Sequence, residues 1–354
     1  MAILDPSVLA RTRVAFSSVV LSVLLTLALA MGGCAERPAA SVVVYTSLDQ
    51  PLSEPVLRDF EAETGIRVQA VYDVEAAKTT GLVSRLAAER DNPKAHLFWS
   101  SEYAQTIRLK EQGLLDRYDS PSAASIPASY KDPDRFWTGF AARARVIIVN
   151  TNLVPPEHHP RSIYQLLDPY WQEGDVGIAN PLFGTAATHA AALFTRPGAD
   201  EAKAYFQTLR DRKVRIVDGN SVVRDMVASG ELKVGLTDTD DAQAAIERGA
   251  PVRMIFPDQD EGAIGTLVIP NTVALVKGAA GNDSARRLLD YLLSPEVEAK
   301  LASSGSLQMP VRDDVPVPPE VPRLSSLRPM KVAPEEVAAQ FPASSEWLKD
   351  TFLR

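Results

Sequence analysis

The sequence predicts an α/β protein of two lobes hinged by two long strands. Three observations carry this. Short β-branched runs alternate with amphipathic segments at the spacing of parallel strands covered by helices. The alternation stops at a long apolar strand, residues 137–150, and then restarts. A second long apolar stretch, residues 265–276, precedes the last helices. The lobes expected from this are 41–140 with 265–354, and an inserted lobe at 141–264, bending near 139–143 and 264–267.

The elements follow in order. Residues 41–45 are a β-branched run and read as a buried parallel strand. A helix follows at 51–64, with Val56, Leu57 and Phe60 apolar and Gly65 closing it. Residues 66–72 form a strand, 76–89 a helix with Leu82, Val83 and Leu86 on one face, and 95–99 a strand. A helix at 101–111 ends at Gly113, and 121–133 is a looser surface stretch. The inserted lobe has strands at 175–179, 214–217, 234–237 and 252–256, and helices at 185–194, 199–210, 221–228 and 241–248. A helix at 284–301 has Pro295 opening its second half, the proline-rich 310–322 is extended, and short helices at 334–340 and 345–352 finish the chain.

Composition bounds the function. The chain has 354 residues, 45% hydrophobic and 23% charged, too apolar for a disordered protein. Lys and Arg total 37 against 45 Asp and Glu, a formal charge of −8, which offers no basic surface for nucleic acid. The single cysteine excludes an internal disulfide and a thiolate metal cluster.

That cysteine is placed tellingly. Arg11 and Arg13 precede an apolar run at 14–31, followed by Gly32, Gly33 and Cys34. A basic region, an apolar core and small residues before a boundary form an export signal. The segment resembles a bacterial lipoprotein signal, with Met31 where that pattern prefers Leu. The resemblance implies that Cys34 is lipidated and becomes the first residue. The other reading is an N-terminal membrane anchor, and both export the remainder. Removing Asp5, Arg11 and Arg13 with the leader takes the formal charge from −8 to −9. Residues 34–40 are then a tether, and two acyl chains suffice to hold a protein at a membrane.

Several motifs share one family pattern. They are Val42-Val-Val-Tyr-Thr-Ser47, Phe60-Glu-Ala-Glu-Thr-Gly65, Ala95-His-Leu-Phe-Trp99 and Arg143-Ala-Arg-Val-Ile-Ile-Val-Asn150. To these add Ile178-Ala-Asn-Pro181, Gly184-Thr-Ala-Ala-Thr188, Leu232-Lys-Val-Gly-Leu-Thr-Asp238, Asn271-Thr-Val-Ala-Leu-Val276 and Leu288-Leu-Asp-Tyr-Leu-Leu-Ser294. In order and spacing they resemble the extracellular solute-binding proteins of ABC importers, nearest the ferric-iron-binding branch. The resemblance spans residues 41–354. It implies the type II periplasmic binding fold and an interlobe ligand cleft. Ferric-iron binders of this family carry adjacent tyrosines after the strand at 233–236. Here Thr237-Asp-Thr-Asp-Asp241 stands instead, so the tyrosinate site is missing.

Two site chemistries remain open. In the first, carboxylates Asp49, Glu102, Asp238 and Asp240 converge on a metal, as oxygen-only ligands suit hard cations; Glu102, Asp238 and Asp240 are its principal ligands. In the second, Ser47, Thr79, Thr80, Ser101, Thr185, Thr188 and Ser221 lie at helix starts that favour anions. Arg143 and Arg145 would add a charged fork for a phosphorylated, phosphonate or carboxylate solute. The same Ser, Thr and Asp residues also serve as ordinary helix caps.

No Gly-x-Ser-x-Gly elbow, cysteine nucleophile, phosphate-binding loop or His-Glu-x-x-His motif is present. The expected protein is a monomeric receptor, not an enzyme, and needs no cofactor. Its partners are a metal or small-molecule ligand, an ABC permease with its ATPase, and the membrane through Cys34. A sensory lipoprotein on the same fold is the alternative, and a metal-dependent hydrolase a weaker one.

Overall fold

In the computed structural model the described residues are 40–73 and 79–352. The leader, Cys34 and the tether up to residue 39 lie outside them. No helix among the described residues is long and apolar enough to cross a membrane.

Strand β1 (Ser41–Thr46) pairs in parallel with β2 (Arg67–Tyr72) and with β3 (Leu97–Ser100). Its alternating side chains bind two helical layers to the sheet. Val42 and Val44 pack with Val56, Leu57 and Phe60 of helix α1 (Gln50–Thr64). Tyr45 packs with Leu82, Val83 and Leu86 of α2 (Thr80–Ala88). Gly65, at φ 69°, ends α1 and donates its N–H to the Glu61 carbonyl. Helix α3 (Ala104–Glu111) begins three residues later than the sequence suggests. The short β4 (Leu115–Asp116) follows it.

The long strand β5 (Thr138–Asn150) joins two halves of one sheet. Up to Ala144 it runs antiparallel to β10 (Val268–Val276). From Arg145 on it runs antiparallel to β8 (Val234–Asp238). The path is β2-β1-β3-β10-β5-β8-β6-β7, with β6 (Val176–Ala179) and β7 (Arg215–Val217) at the far edge. Strand β4 adds to β10, and β9 (Val252–Ile255) adds to β5. The second long strand, β10, accompanies β5 to the crossing: Val268 faces Ala144, and Arg145 N donates to the Leu267 carbonyl at 2.9 Å.

At the crossing both strands are irregular. Pro270 faces Ala142 and Asn271 faces Phe140, leaving Ala141 as an extra residue at φ 42°. Such a bulge bends its strand. It is held by a buried carboxylate: Glu298 accepts from the N–H of Ala141 at 2.9 Å and of Val311 at 2.8 Å, and pairs with Arg312 at 2.7 Å.

The return to β10 is equally close-packed. Gly265 sits at φ 86°, and a Cβ there would lie 2.7 Å from Met330 N and the Pro329 carbonyl. Gly265→Ala combines that clash with backbone strain, and is expected to destabilise the protein by about 2 kcal/mol. Thermal denaturation followed by circular dichroism reads this as a lowered Tm.

The C-terminus differs from expectation. Residues 334–352 form one 19-residue helix, α10 (Pro334–Phe352), running through Pro342. Its buried face, Val337, Ala338, Phe341, Ser344 and Leu348, continues across the proline, so packing outweighs the local break. It bears on α3, where Arg108 lies over Phe341 at 5.2 Å, and packs against α4 (Gly184–Leu193) of the second half. The helix expected at 284–301 is two, α8 (Asp283–Leu292) and α9 (Pro295–Ser303), with Ser294 capping the second. Residues 310–322 follow bends and turns rather than one extended run.

Candidate functional site

Strand β8 passes into helix α7 (Thr239–Glu247) without a loop. Asp238 is thus the last strand residue, and Asp240 and Asp241 enter the first helical turn. One carboxylate oxygen from each of the three lies within 4.8 Å of the others. A strand end feeding a helix N-terminus is where α/β sheets place ligands.

The three aspartates are not equivalent. Asp238 is braced on both oxygens. Arg145 Nη1 donates to Oδ1 at 2.6 Å, while Thr185 Oγ1 and Asn220 Nδ2 donate to Oδ2 at 2.5 and 3.1 Å. Arg145 Nη1 also donates to Asn220 Oδ1 at 2.9 Å. Asp240 and Asp241 are held more loosely, by Arg143 at 3.4 Å and Arg224 at 3.3 Å. A strong charge-assisted bond is about 2.7–2.9 Å, so these two contacts are weak.

Arg143 is buried, and its Nη2 donates to Asn271 Oδ1 at 3.1 Å. Burial pulls the pKa of its guanidinium down, but Asp240, Asp238, Asp49 and Asp241 reverse this and the net direction is upward. Asp49, half-buried at the start of α1 in the other half-sheet, thus projects its charge onto the same group. The Nε atoms of Arg143 and Arg145 are buried and have no hydrogen-bond partner.

On the first half-sheet, Ser47 Oγ accepts from Ser101 N at 2.9 Å and meets Ser101 Oγ at 3.3 Å. Glu102 stands apart from the aspartate group. Its carboxylate accepts from Ala104 N at 2.6 Å, from Gln105 N at 3.1 Å, and from Thr188 Oγ1 of α4 at 2.8 Å. The expected metal ligand is therefore a helix cap. It occupies the amides of α3 with the chain's own carboxylate, which removes that helix start as an anion cradle. Asp238 likewise has both carboxylate oxygens engaged by the chain's own donors.

The remaining residues around the site divide. Thr185 belongs to the Arg145–Asp238 group. Thr79 is buried at φ 66° with its hydroxyl unpartnered, and Thr80 opens α2 beside it. Ser221 lies half-buried in the first turn of α6 (Asn220–Ser229). Trp99 is fully buried against Phe140 and belongs to the core. His189 is buried, and desolvation, then the nearby Arg145, hold its pKa well below the usual value, so it is neutral.

Four contributors were missed from sequence. Asp241 reads as a helix cap, Asn220 opens α6, Arg224 lies one turn further on, and Asn271 is hidden in an apolar strand. Asn220 carried the one usable signal, a polar residue at a strand-to-helix junction.

The cleft is shut, since Ser47, Ser101, Glu102, Arg143, Thr188 and Asp238 are all buried. A recess of about 990 Å³ between Tyr103, Trp137, Leu267 and Met330 contains none of the candidate residues.

The fold is thus an α/β sheet in two halves with buried charged side chains where they meet. Residues 92–339 match the model of the bacterial extracellular solute-binding proteins, and the chain belongs to that family. It is 29% identical over 310 residues to Iron uptake protein A1 of Synechocystis sp., covering 81% of this chain and 83% of that protein. It is 29% identical over 261 residues to a putative 2-aminoethylphosphonate-binding periplasmic protein of Salmonella typhi, covering 72% and 73%. Iron-bound HitA from Pseudomonas aeruginosa has the same fold, with a TM-score of 0.79 at 23% identity over 88% of this chain and 99% of that one. The protein is an extracytoplasmic solute receptor of the kind that serves ABC transporters.

Proposed function

We propose that the receptor captures a hard metal cation through Asp240 and Asp241, with Asp49 approaching from the opposite lobe. The observation that carries this is the aspartate group itself, whose oxygens lie within 4.8 Å of one another. Crowded carboxylates repel, and a cation relieves that repulsion. The arginine contacts of Asp240 and Asp241 are long, at 3.4 and 3.3 Å, and a cation can displace them. Carboxylate oxygens suit hard ions. The relative named for iron uptake supports a metal cargo.

A second reading has its own support. The unpartnered Nε atoms of Arg143 and Arg145 fit a solute bearing an anionic group beside a cationic one. The aspartates would take the cation, and the relative named for 2-aminoethylphosphonate fits this.

The lobes are taken as 41–140 with 265–354, and 141–264; the exchange of partners by β5 between Ala144 and Arg145 supports a boundary in that strand. Ligand contacts to both lobes drive closure. The closed monomer docks on a permease, is lipid-anchored through Cys34 and catalyses nothing.

A ligand that binds only the folded state raises Tm. A thermal-shift series with Ca2+, Mn2+, Fe3+, citrate and 2-aminoethylphosphonate is expected to respond to a metal ion, and Fe3+ binding is expected to show no phenolate-to-iron visible band. A response to the organic anions alone overturns the metal reading.

A further inference from the structure

We propose that Glu102 and Thr188 are positioning residues for solute capture: their hydrogen bond latches the two halves of the cleft, and Glu102 acts through closure rather than by touching the solute. The contact joins elements from opposite half-sheets. Glu102 follows β3 and caps α3, whereas Thr188 lies on α4 beyond β6. Both side chains are fully buried, and the bond spans the two half-sheets. The carboxylate is fixed on its own side by Ala104 N and Gln105 N, and the Glu102 carbonyl accepts from Thr272 Oγ1 of β10 at 3.2 Å. It is thus a rigid acceptor aimed at the other half. Thr188 is held less firmly, with its hydroxyl 3.5 Å from the Gly184 carbonyl. Parting the halves breaks the bond and exposes the carboxylate to water.

This makes closure sensitive to pH. Burial pushes the Glu102 carboxyl up to about 7, against the lowering effects of Thr188, the Gln105 and Ala104 amides and Arg108. The surrounding charges are few. Arg108 and Tyr103 share its helix, Tyr103 feels Glu335 from the start of α10, and His189 beside Thr188 is neutral. Hydration on opening returns the carboxyl toward its ordinary range. The shut form therefore holds the proton more tightly, and rising pH favours opening. A carboxyl near 7 when shut and near 4.5 when open shifts the closing equilibrium about tenfold between pH 6 and pH 8.

The inference rests on the proposed cleft but not on the identity of its solute. The test compares the full chain with Thr188→Val, Thr188→Ser and Glu102→Gln. Small-angle scattering of solute-free protein is expected to show Thr188→Val more open and Thr188→Ser restored to the parent dimensions. The parent is expected to open as pH rises from 6 to 8, and Glu102→Gln to lose this dependence. Titration with Mn2+ and Fe3+ is expected to weaken about tenfold in Thr188→Val, as for one lost bond to a charged acceptor. Unchanged solute-free dimensions in Thr188→Val, or the same pH response in Glu102→Gln as in the parent, overturn the latch. If neither metal binds the parent, the metal reading fails while scattering still decides the latch.

Discussion

Asp240→Asn combined with Asp241→Asn is expected to weaken metal binding about 1,000-fold, or ~4 kcal/mol, in a competition titration against a metal buffer. Asparagine keeps the size and one acceptor oxygen of each side chain but removes two negative charges. Arg143 and Arg224 remain, so the site turns from a cation trap into a repulsive one. The fold is expected to survive. Arg224 also pairs with Asp225 at 2.8 Å, so losing Asp241 leaves no buried cation unpaired. Arg143 keeps Asn271 and the fields of Asp238 and Asp49. A Tm within a few degrees of the parent and a lost metal response together support the site. An unchanged affinity places the solute elsewhere.

Asp238→Ala, two residues away, is expected to do the opposite. It removes the acceptor of Arg145, Thr185 and Asn220 at once, in a place where Arg145 is only 1% exposed. Breaking a buried ion pair by deleting one partner costs about 3–5 kcal/mol, because the remaining charge stays out of water. Asn220 Oδ1 alone cannot replace the lost carboxylate. Thermal denaturation is expected to show a Tm lowered by roughly 10 °C. Asp238→Asn, which keeps an acceptor for Thr185 or Arg145, is expected to be milder. If Asp238→Ala spares stability and abolishes solute binding instead, Asp238 is a ligand and the brace assignment is wrong.

Much of the fold was legible because it depends on local pattern. The β-branched run of β1, the αL glycine after α1 and the apolar face of α2 each report their state over a few residues. The failures share one cause. Pro342 read as a break because the buried face spanning it is set by α3 and α4, far away in sequence. Residues 284–301 read as one helix, whereas Ser294 caps a second helix that Val297 and Leu301 seat in the core.

The site shows the same division. That acidic residues cluster after β8 is plain in Thr237–Asp241. Which of them is available is not. Asp238 is occupied because Arg145, Thr185 and Asn220 arrive from three other elements, and Glu102 is a latch because α4 brings Thr188 to it.

From sequence alone come the class of fold, the absence of a tyrosine pair after β8, and the acidic chemistry of Thr237–Asp241. These follow from residue identity and near-neighbour periodicity. Only the tertiary structure decides which carboxylates are braces, which face a solute and which one gates closure. A carboxylate's role depends on the donors and water around it, and those are assembled by contacts across the sheet.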